Sequence, residues 1–194
     1  MKTRCLLALG SVIPVIFWGT LSVCGYVMGD YNHLTRLVSE LGAIGTRTQY
    51  IFMAGLLTCA ILSVLFVVGL CQACKKMGIS TIPALLILFF SLSIGGAAIF
   101  PLPLRMHLIM GMPSVLLFLS PLAALIFWRG EKQPAGLRIW AIVSLAVMLL
   151  GFLAFMPEVL GAYPGLKQRF FHLAWSLWFI GLSRAFLRSA RSGV

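Results

Sequence analysis

The chain has 194 residues, of which 61% are hydrophobic and only 10% charged, with a mean hydropathy of +1.05. Soluble domains carry roughly 25% charged residues, and a fold of this size has too little polar surface to cover so much apolar content in water, which excludes a water-soluble globular domain. The net charge of +11, from fifteen Lys and Arg against four acids, would suggest nucleic acid in a soluble protein. Here the basic residues stand in short clusters between apolar runs, so they are read as topogenic charge and contacts to anionic lipid headgroups, with membrane lipid rather than nucleic acid as the partner.

The chain opens Met1-Lys2-Thr3-Arg4, in the manner of a signal-peptide n-region. The apolar run that follows, Cys5–Met28, is longer than an h-region of roughly 7–15 residues, and no A-x-A-like site follows it. Leu21-Ser22-Val23-Cys24 approaches a lipobox, but Val23 is too bulky for the position before the cysteine. The run is therefore read as a retained first membrane-spanning helix. Five further apolar stretches reach the length of about 20 residues that a spanning helix needs: Tyr50–Ala73, Ile79–Phe100, Met106–Trp128, Leu137–Met156 and Phe170–Leu187. None of the six contains Asp or Glu. The expectation is an all-α polytopic membrane protein, one integral membrane domain over residues 1–194, built as a bundle of six transmembrane helices.

Pro14, Pro113 and Pro121 fall inside apolar runs, which lipid-embedded helices tolerate because neighbouring helices satisfy the freed carbonyls. Trp128 and Trp140 stand at predicted helix ends, where amphipathic rings favour the interface. Gly95-Gly96-Ala97-Ala98 permits close helix–helix approach, and the two glycines could break the third helix. The longest connection runs from Gly29 to Gln49. In it Leu34, Val38 and Leu41 recur at helical spacing, with His33, Arg36 and Glu40 on the other side. That pattern predicts a short amphipathic segment lying on the membrane or capping the bundle; an ordinary connecting loop is the alternative.

Orientation follows from Lys and Arg. With the N-terminus inside, the inner segments hold Lys2, Arg4, Lys75, Lys76, Arg129, Lys132, Arg138, Arg184, Arg188 and Arg191, and the outer ones only Arg36, Arg47, Arg105, Lys167 and Arg169. This bias predicts a multi-pass protein of the cell membrane with both termini cytoplasmic. Asp30, Glu40 and Glu158 then lie outside, with Glu131 alone inside, and His33, His107 and His172 all fall outside or at outer helix ends. Charge sorting does not account for that outer mixture, since it places Lys and Arg but says little about Asp, Glu or His.

Each inward-running helix begins near an arginine: Arg47-Thr48-Gln49, Arg105-Met106-His107 and Arg169-Phe170-Phe171-His172. This reads either as a weak threefold repeat of hairpins or as three arginines snorkelling to headgroup depth. A functional reading gathers Glu40, Arg105, His107, Arg169 and His172 around one outward-facing pocket. The arginine forks suit a phosphate or other anionic headgroup, and the histidines and carboxylate could shape the pocket or act as acid and base. No H-E-x-x-H, G-x-S-x-G or Walker A pattern is present, so no catalytic residue is assigned. His33, His107 and His172 lack i, i+3 or i, i+4 spacing, so neither a metal site nor a cofactor is called for. Cys71-Gln72-Ala73-Cys74 is a lone C-x-x-C at an inner helix end in a reducing compartment, read as a juxtamembrane thiol used in packing or, in a eukaryote, lipidated.

Several short motifs are similar to those of a known family. Ser39-Glu40-Leu41-Gly42-Ala43 resembles an S-E-L-G signature after the first helix. Phe100-Pro101 closes the third helix, His107 opens the fourth, and Gly165-Leu166-Lys167-Gln168-Arg169 resembles a G-L-x-Q-R run opening the last. In order and placement these resemble the six-helix membrane protein family catalogued as domain of unknown function 998, over roughly Val12 to Arg188. Members often carry an acidic residue soon after Phe-Pro, where Pro103 and Leu104 stand here. The resemblance implies the six-helix fold and assigns no catalytic residue. The leading functional expectation is a non-enzymatic protein that binds or senses a lipid or small amphiphile at the outer leaflet. The alternatives are a membrane-embedded hydrolase or transferase using Glu40, His107 and His172, and a transporter or accessory subunit.

Overall fold

The computed structural model describes residues 3–130 and 133–190; Lys2, Lys132 and Arg191, counted above in the charge bias, and Glu131, the inner acid, lie outside the described residues. Among the described residues six helices are long and apolar enough to cross a membrane: α1 (Thr3–Met28), α2 (Gln49–Met77), α3 (Ile82–Ile99), α4 (Arg105–Phe127), α5 (Leu137–Phe155) and α6 (Pro164–Ser189). The predicted spans coincide with them to within a few residues, except that α6 begins six residues before Phe170. Pro164 supplies its first turn, where the missing N–H costs nothing and the fixed φ suits the helix.

Neighbours in sequence are neighbours in space, and α6 closes the ring by packing on α1 as well as on α5. An aromatic centre joins the elements: Trp175 and Phe179 of α6 meet Phe17 of α1, Phe66 of α2 and Phe90 of α3 at ring-centroid distances of 4.5–5.5 Å. Aromatic pairs in these offset and edge-on arrangements contribute beyond their buried area. α6 is the least hydrophobic of the six helices and also the most buried. Polar side chains inside a bilayer face the bundle interior because lipid offers them no partner.

Two irregularities have local causes. α3 is interrupted at Leu86–Ile87, behind Pro83, not at Gly95-Gly96. The Ile87 N–H donates to the Ala84 carbonyl, and the Ser120 hydroxyl of α4 donates to the Pro83 carbonyl at 2.7 Å. The Ser120 oxygen also accepts from the Trp178 indole of α6 at 2.8 Å. Gly96 instead serves close approach, since a Cβ there would lie 2.6 Å from Met110 Cβ of α4. α4 tightens to 3-10 geometry over Met112–Phe118, around Pro113. Trp128 is not an interface anchor: it is 1% exposed, its indole donates to the Ser80 carbonyl at 2.7 Å, and its ring packs on Phe186.

The α1–α2 connection is a folded cap over one end of the bundle. Its helical part is one 3-10 turn, Val38–Gly42, with Val38 and Leu41 buried and Leu34 exposed. The α3–α4 and α5–α6 connections lie at the same end. The described chain ends and the remaining connections lie at the opposite end.

Candidate functional site

The cap is fastened to the first two turns of α6. Gly165 makes this possible: a Cβ there would collide with the Arg36 carbonyl oxygen and lie 2.8 Å from that of His33. The Leu166 N–H donates to the Leu34 carbonyl at 2.9 Å, and the Val38 N–H donates to Gln168 Oε1 at 2.7 Å. Arg169, 9% exposed, donates from Nη1 to the Gly165 and Arg36 carbonyls at 3.0 and 3.2 Å. From Nη2 it donates to the Tyr31 hydroxyl and to His33 Nδ1, each at 3.0 Å. A guanidinium only donates, so His33 accepts at Nδ1 and must be neutral there. Burial, and then the charge of Arg169, hold the His33 pKa below its ordinary 6.5, and burial raises that of Tyr31. Tyr31 passes the chain on, its hydroxyl donating to the Leu37 carbonyl at 2.8 Å.

Glu40 belongs to the same cap. Oε2 accepts from Arg36 Nε and Oε1 from the Leu37 N–H, both at 2.8 Å, so both oxygens are engaged. That hydrogen bond is the main reason the Arg36 pKa is raised, and Asp30 adds a longer contact of 3.7 Å. Lys167, 4% exposed, performs for the α5–α6 connection what Arg169 performs for the cap. Its Nζ donates to the Met156 and Val159 carbonyls at 3.0 and 2.9 Å. Two cations near a helix N-terminus oppose the helix dipole, so loop anchoring, not helix stability, accounts for their position.

Beneath the cap, a cavity of about 560 Å³ lies between α4, the end of α5 and the start of α6. Its walls are mainly apolar, including Leu108, Val115, Phe152, Phe155 and Phe171, with Ser39, His107, Ser114, Lys167, Gln168 and His172 as polar members. A smaller space of about 150 Å³ extends inward toward Phe17, Phe52 and Phe90 and shares His107, Gly111, Ser114, Gln168 and His172 with the larger one. The two imidazoles therefore stand where the chambers join. α5 packs on α4 through the Leu119–Phe127 half of α4, and Phe118 and Phe152 meet edge-on at 6.0 Å. Beyond that contact the helices diverge around the cavity, with Leu108 and Phe155, 70% and 59% exposed, at its outer edges.

The hydrogen bonds fix both tautomers. His107 Nδ1 lies 2.8 Å from the Phe100 carbonyl, so it carries the proton, and the neutral ring offers a lone pair at Nε2. His172 Nδ1 accepts from the Trp175 indole at 3.1 Å, so the proton is on Nε2, a buried atom with no partner among the described residues. Both rings line the same cavity, His172 from α6 and His107 from α4.

Of the five residues expected to share a pocket, His107 and His172 do line one. Glu40 and Arg169 meet through the cap and neither lines the cavity, and Arg105 is exposed at the start of α4. The three arginines are not equivalent: Arg47 and Arg105 are exposed, as snorkelling residues are, while Arg169 is buried. Sequence reasoning gave no site role to Tyr31, Ser114, Lys167 or Gln168, although the last two stand in the motif quoted at the start of the sixth helix. A usable signal was the run Gly165-Leu166-Lys167-Gln168-Arg169, in which glycine and three hydrogen-bonding side chains share the opening of one helix. Cys71 and Cys74 are free thiols, Cys74 buried, and no group of three His, Cys, Asp or Glu placed to hold a metal occurs among the described residues.

No curated protein and no solved structure matches the chain. The family described as "Protein of unknown function (DUF998)" matches over residues 11–185. With nearly the whole bundle inside that match, the chain belongs to this family, and its six apolar helices are those of a multi-pass membrane protein.

Proposed function

We propose that this protein binds or senses a lipid or small amphiphile, taken from the bilayer into the cavity between α4, α5 and α6. The observation that carries the reading is the cavity: about 560 Å³, mainly apolar, opening between diverging helices, with its polar groups gathered beneath the cap. That volume falls in the range of roughly 300–1,000 Å³ typical of small-molecule sites. An apolar chain can enter between α4 and α5 while a headgroup stays beside His107, Gln168 and His172. The positive-inside bias supports placing the cap at the outer face of the cell membrane, with both termini cytoplasmic.

Native mass spectrometry of the protein released from mild detergent tests the reading. Gly111 lines both chambers and has open space where a Cβ would stand, so Gly111→Phe fills the cavity. Wild-type protein should carry a lipid adduct that the variant lacks; equal adducts on both, or none on either, refute the proposal. Orientation is tested by Arg47→Cys and Lys76→Cys in a cysteine-free background. An impermeant thiol reagent should label only the first from outside. A lipid hydrolase or transferase built on Glu40, His107 and His172 is the weaker reading, because both oxygens of Glu40 are engaged within the cap and cannot orient either imidazole.

A further inference from the structure

The polar members of the cavity wall have a definite hydrogen-bonding sense, and it selects a headgroup. Four donors remain after the protein's own bonds are made among the described residues, one of them the Ser39 hydroxyl on the cavity wall. His172 Nε2–H is buried without a partner among the described residues. Gln168 accepts at Oε1 from the cap, which leaves its NH₂ to donate. Lys167 Nζ spends two of its three protons on carbonyls. It is 4% exposed, forms no ion pair among the described residues, and no Asp or Glu lines the cavity. A buried cation is costly unless paired and hydrogen-bonded. The carbonyls supply hydrogen bonds but no counter-charge. Facing these donors are two lone-pair groups, His107 Nε2 and Ser114 Oγ, whose own proton goes to the Gly111 carbonyl at 2.7 Å.

Resting on the reading that the cavity holds an amphiphile, we propose that its occupant carries an oxyanion, a carboxylate or a phosphate monoester on an acyl chain, bound by Lys167, His172 and Gln168. The bound anion supplies the counter-charge that Lys167 lacks and the acceptor that His172 lacks. The two sources differ at His107. A monoacylglycerol phosphate brings a glycerol hydroxyl that can donate to the Nε2 lone pair, and a fatty acid does not.

The test uses the full chain in micelles and probes with a bromine-labelled acyl chain, which quench nearby tryptophans such as Trp175. The probes are dibromostearate, dibromostearoyl lysophosphatidate and the neutral dibromostearyl alcohol, each titrated at pH 8.5. Both anions should bind about tenfold or more tightly than the alcohol, the scale of a charge-assisted hydrogen bond. Lys167→Met should erase most of that preference and leave the alcohol unchanged. Because Lys167 also anchors the α5–α6 connection, His172→Phe provides a second variant that keeps an aromatic ring against Phe17 and removes the Nε2–H. It too should reduce the preference. The tighter of the two anions identifies the source, with His107→Phe weakening lysophosphatidate alone if the phosphate is preferred. Equal binding of all three probes to wild-type protein overturns the oxyanion assignment and leaves the amphiphile reading intact, as does an anion preference that survives both variants. Quenching no greater than in Gly111→Phe, for every probe, overturns both.

Discussion

Replacing Arg169 with alanine should release the cap while leaving the bundle folded. The substitution removes four contacts, to the Gly165 and Arg36 carbonyls, the Tyr31 hydroxyl and His33 Nδ1, at 3.0–3.2 Å. Hydrogen bonds to a charged group contribute roughly 1.5–3 kcal/mol each, but four made by one side chain are not additive. Freeing the side chain also returns up to about 2 kcal/mol of rotamer entropy. Tyr31 keeps its bond to Leu37, and the Leu166–Leu34 and Gln168–Val38 bonds survive. A net loss of about 3 kcal/mol is expected, at the low end of the roughly 3–5 kcal/mol for removing one partner of a buried charged network. All the lost contacts except the one to Gly165 lie in the cap, so the cost should appear as local opening. An energy of about 3 kcal/mol corresponds to roughly a hundredfold larger open population. Hydrogen–deuterium exchange measured by mass spectrometry reads this directly. Amides of Leu37 and Val38 should exchange about a hundredfold faster in Arg169→Ala, with α2 peptides around Leu56–Phe66 unchanged. Arg169→Lys, which keeps the charge and loses the fork, should fall between. Cap exchange at the wild-type rate, or equal acceleration in α2, would show that Arg169 is not a tether.

The His33 contact makes the same cap sensitive to acid. Its folded pKa is depressed, so the open state takes up the proton first; the contact contributes fully above about pH 6.5 and is lost as pH falls through that value toward the folded pKa. Cap exchange, corrected for intrinsic rates, should therefore accelerate between pH 7 and pH 5.5, and His33→Gln, which retains an acceptor, should abolish the pH dependence. Gly165→Ala places a methyl group against two cap carbonyls and should cost about 1–3 kcal/mol, seen as faster exchange of residues 33–38 with α1 unaffected. Two buried serines should respond oppositely. Ser120→Ala strands the Trp178 indole and the Pro83 carbonyl and should lower stability by about 2–4 kcal/mol. Ser144→Ala removes a buried hydroxyl that has no partner among the described residues and should be neutral or stabilising by about 1 kcal/mol. Unfolding midpoints in mixed micelles distinguish the two.

The six spans were legible because bilayer thickness imposes one length and one composition on every crossing. What lay beyond the spans depended on contacts distant in sequence. The cap reads as an amphipathic segment locally, but Val38 is held by Gln168, 130 residues away, and no local periodicity carries that pairing. Arg105 and Arg169 each precede a histidine at the start of a span and look alike in sequence. They differ in surroundings: Gly165 lets the cap backbone descend onto Arg169, and nothing comparable covers Arg105. Trp128 shows the same limit, since a tryptophan at a span end reads as an interface anchor whether it faces lipid or, as here, a neighbouring helix.

The polar content of α6 was legible in principle, and the position of its first turn concealed it. Begun at Phe170, the helix shows a few scattered polar residues. Begun at Pro164, it shows Gly165, Arg169, His172, Ser176, Phe179 and Ser183 at alternating spacings of four and three, a single stripe on one face. Each polar member has a partner on the α1 side: Arg169 with Tyr31 of the cap, His172 against Phe17, Ser176 with the Trp18 indole at 3.1 Å, and Ser183 with Ser11 at 3.1 Å. The least hydrophobic helix can therefore be the most buried, because its polar groups are satisfied inside the bundle. Lys167, Gln168 and Phe171 flank the stripe and line the cavity instead. His172 belongs to both faces, its Nδ1 bonded to Trp175 within α6 while its Nε2–H has no partner among the described residues. The other polar groups of this stripe are satisfied inside the bundle, and the buried Nε2–H of His172 is the exception among the described residues.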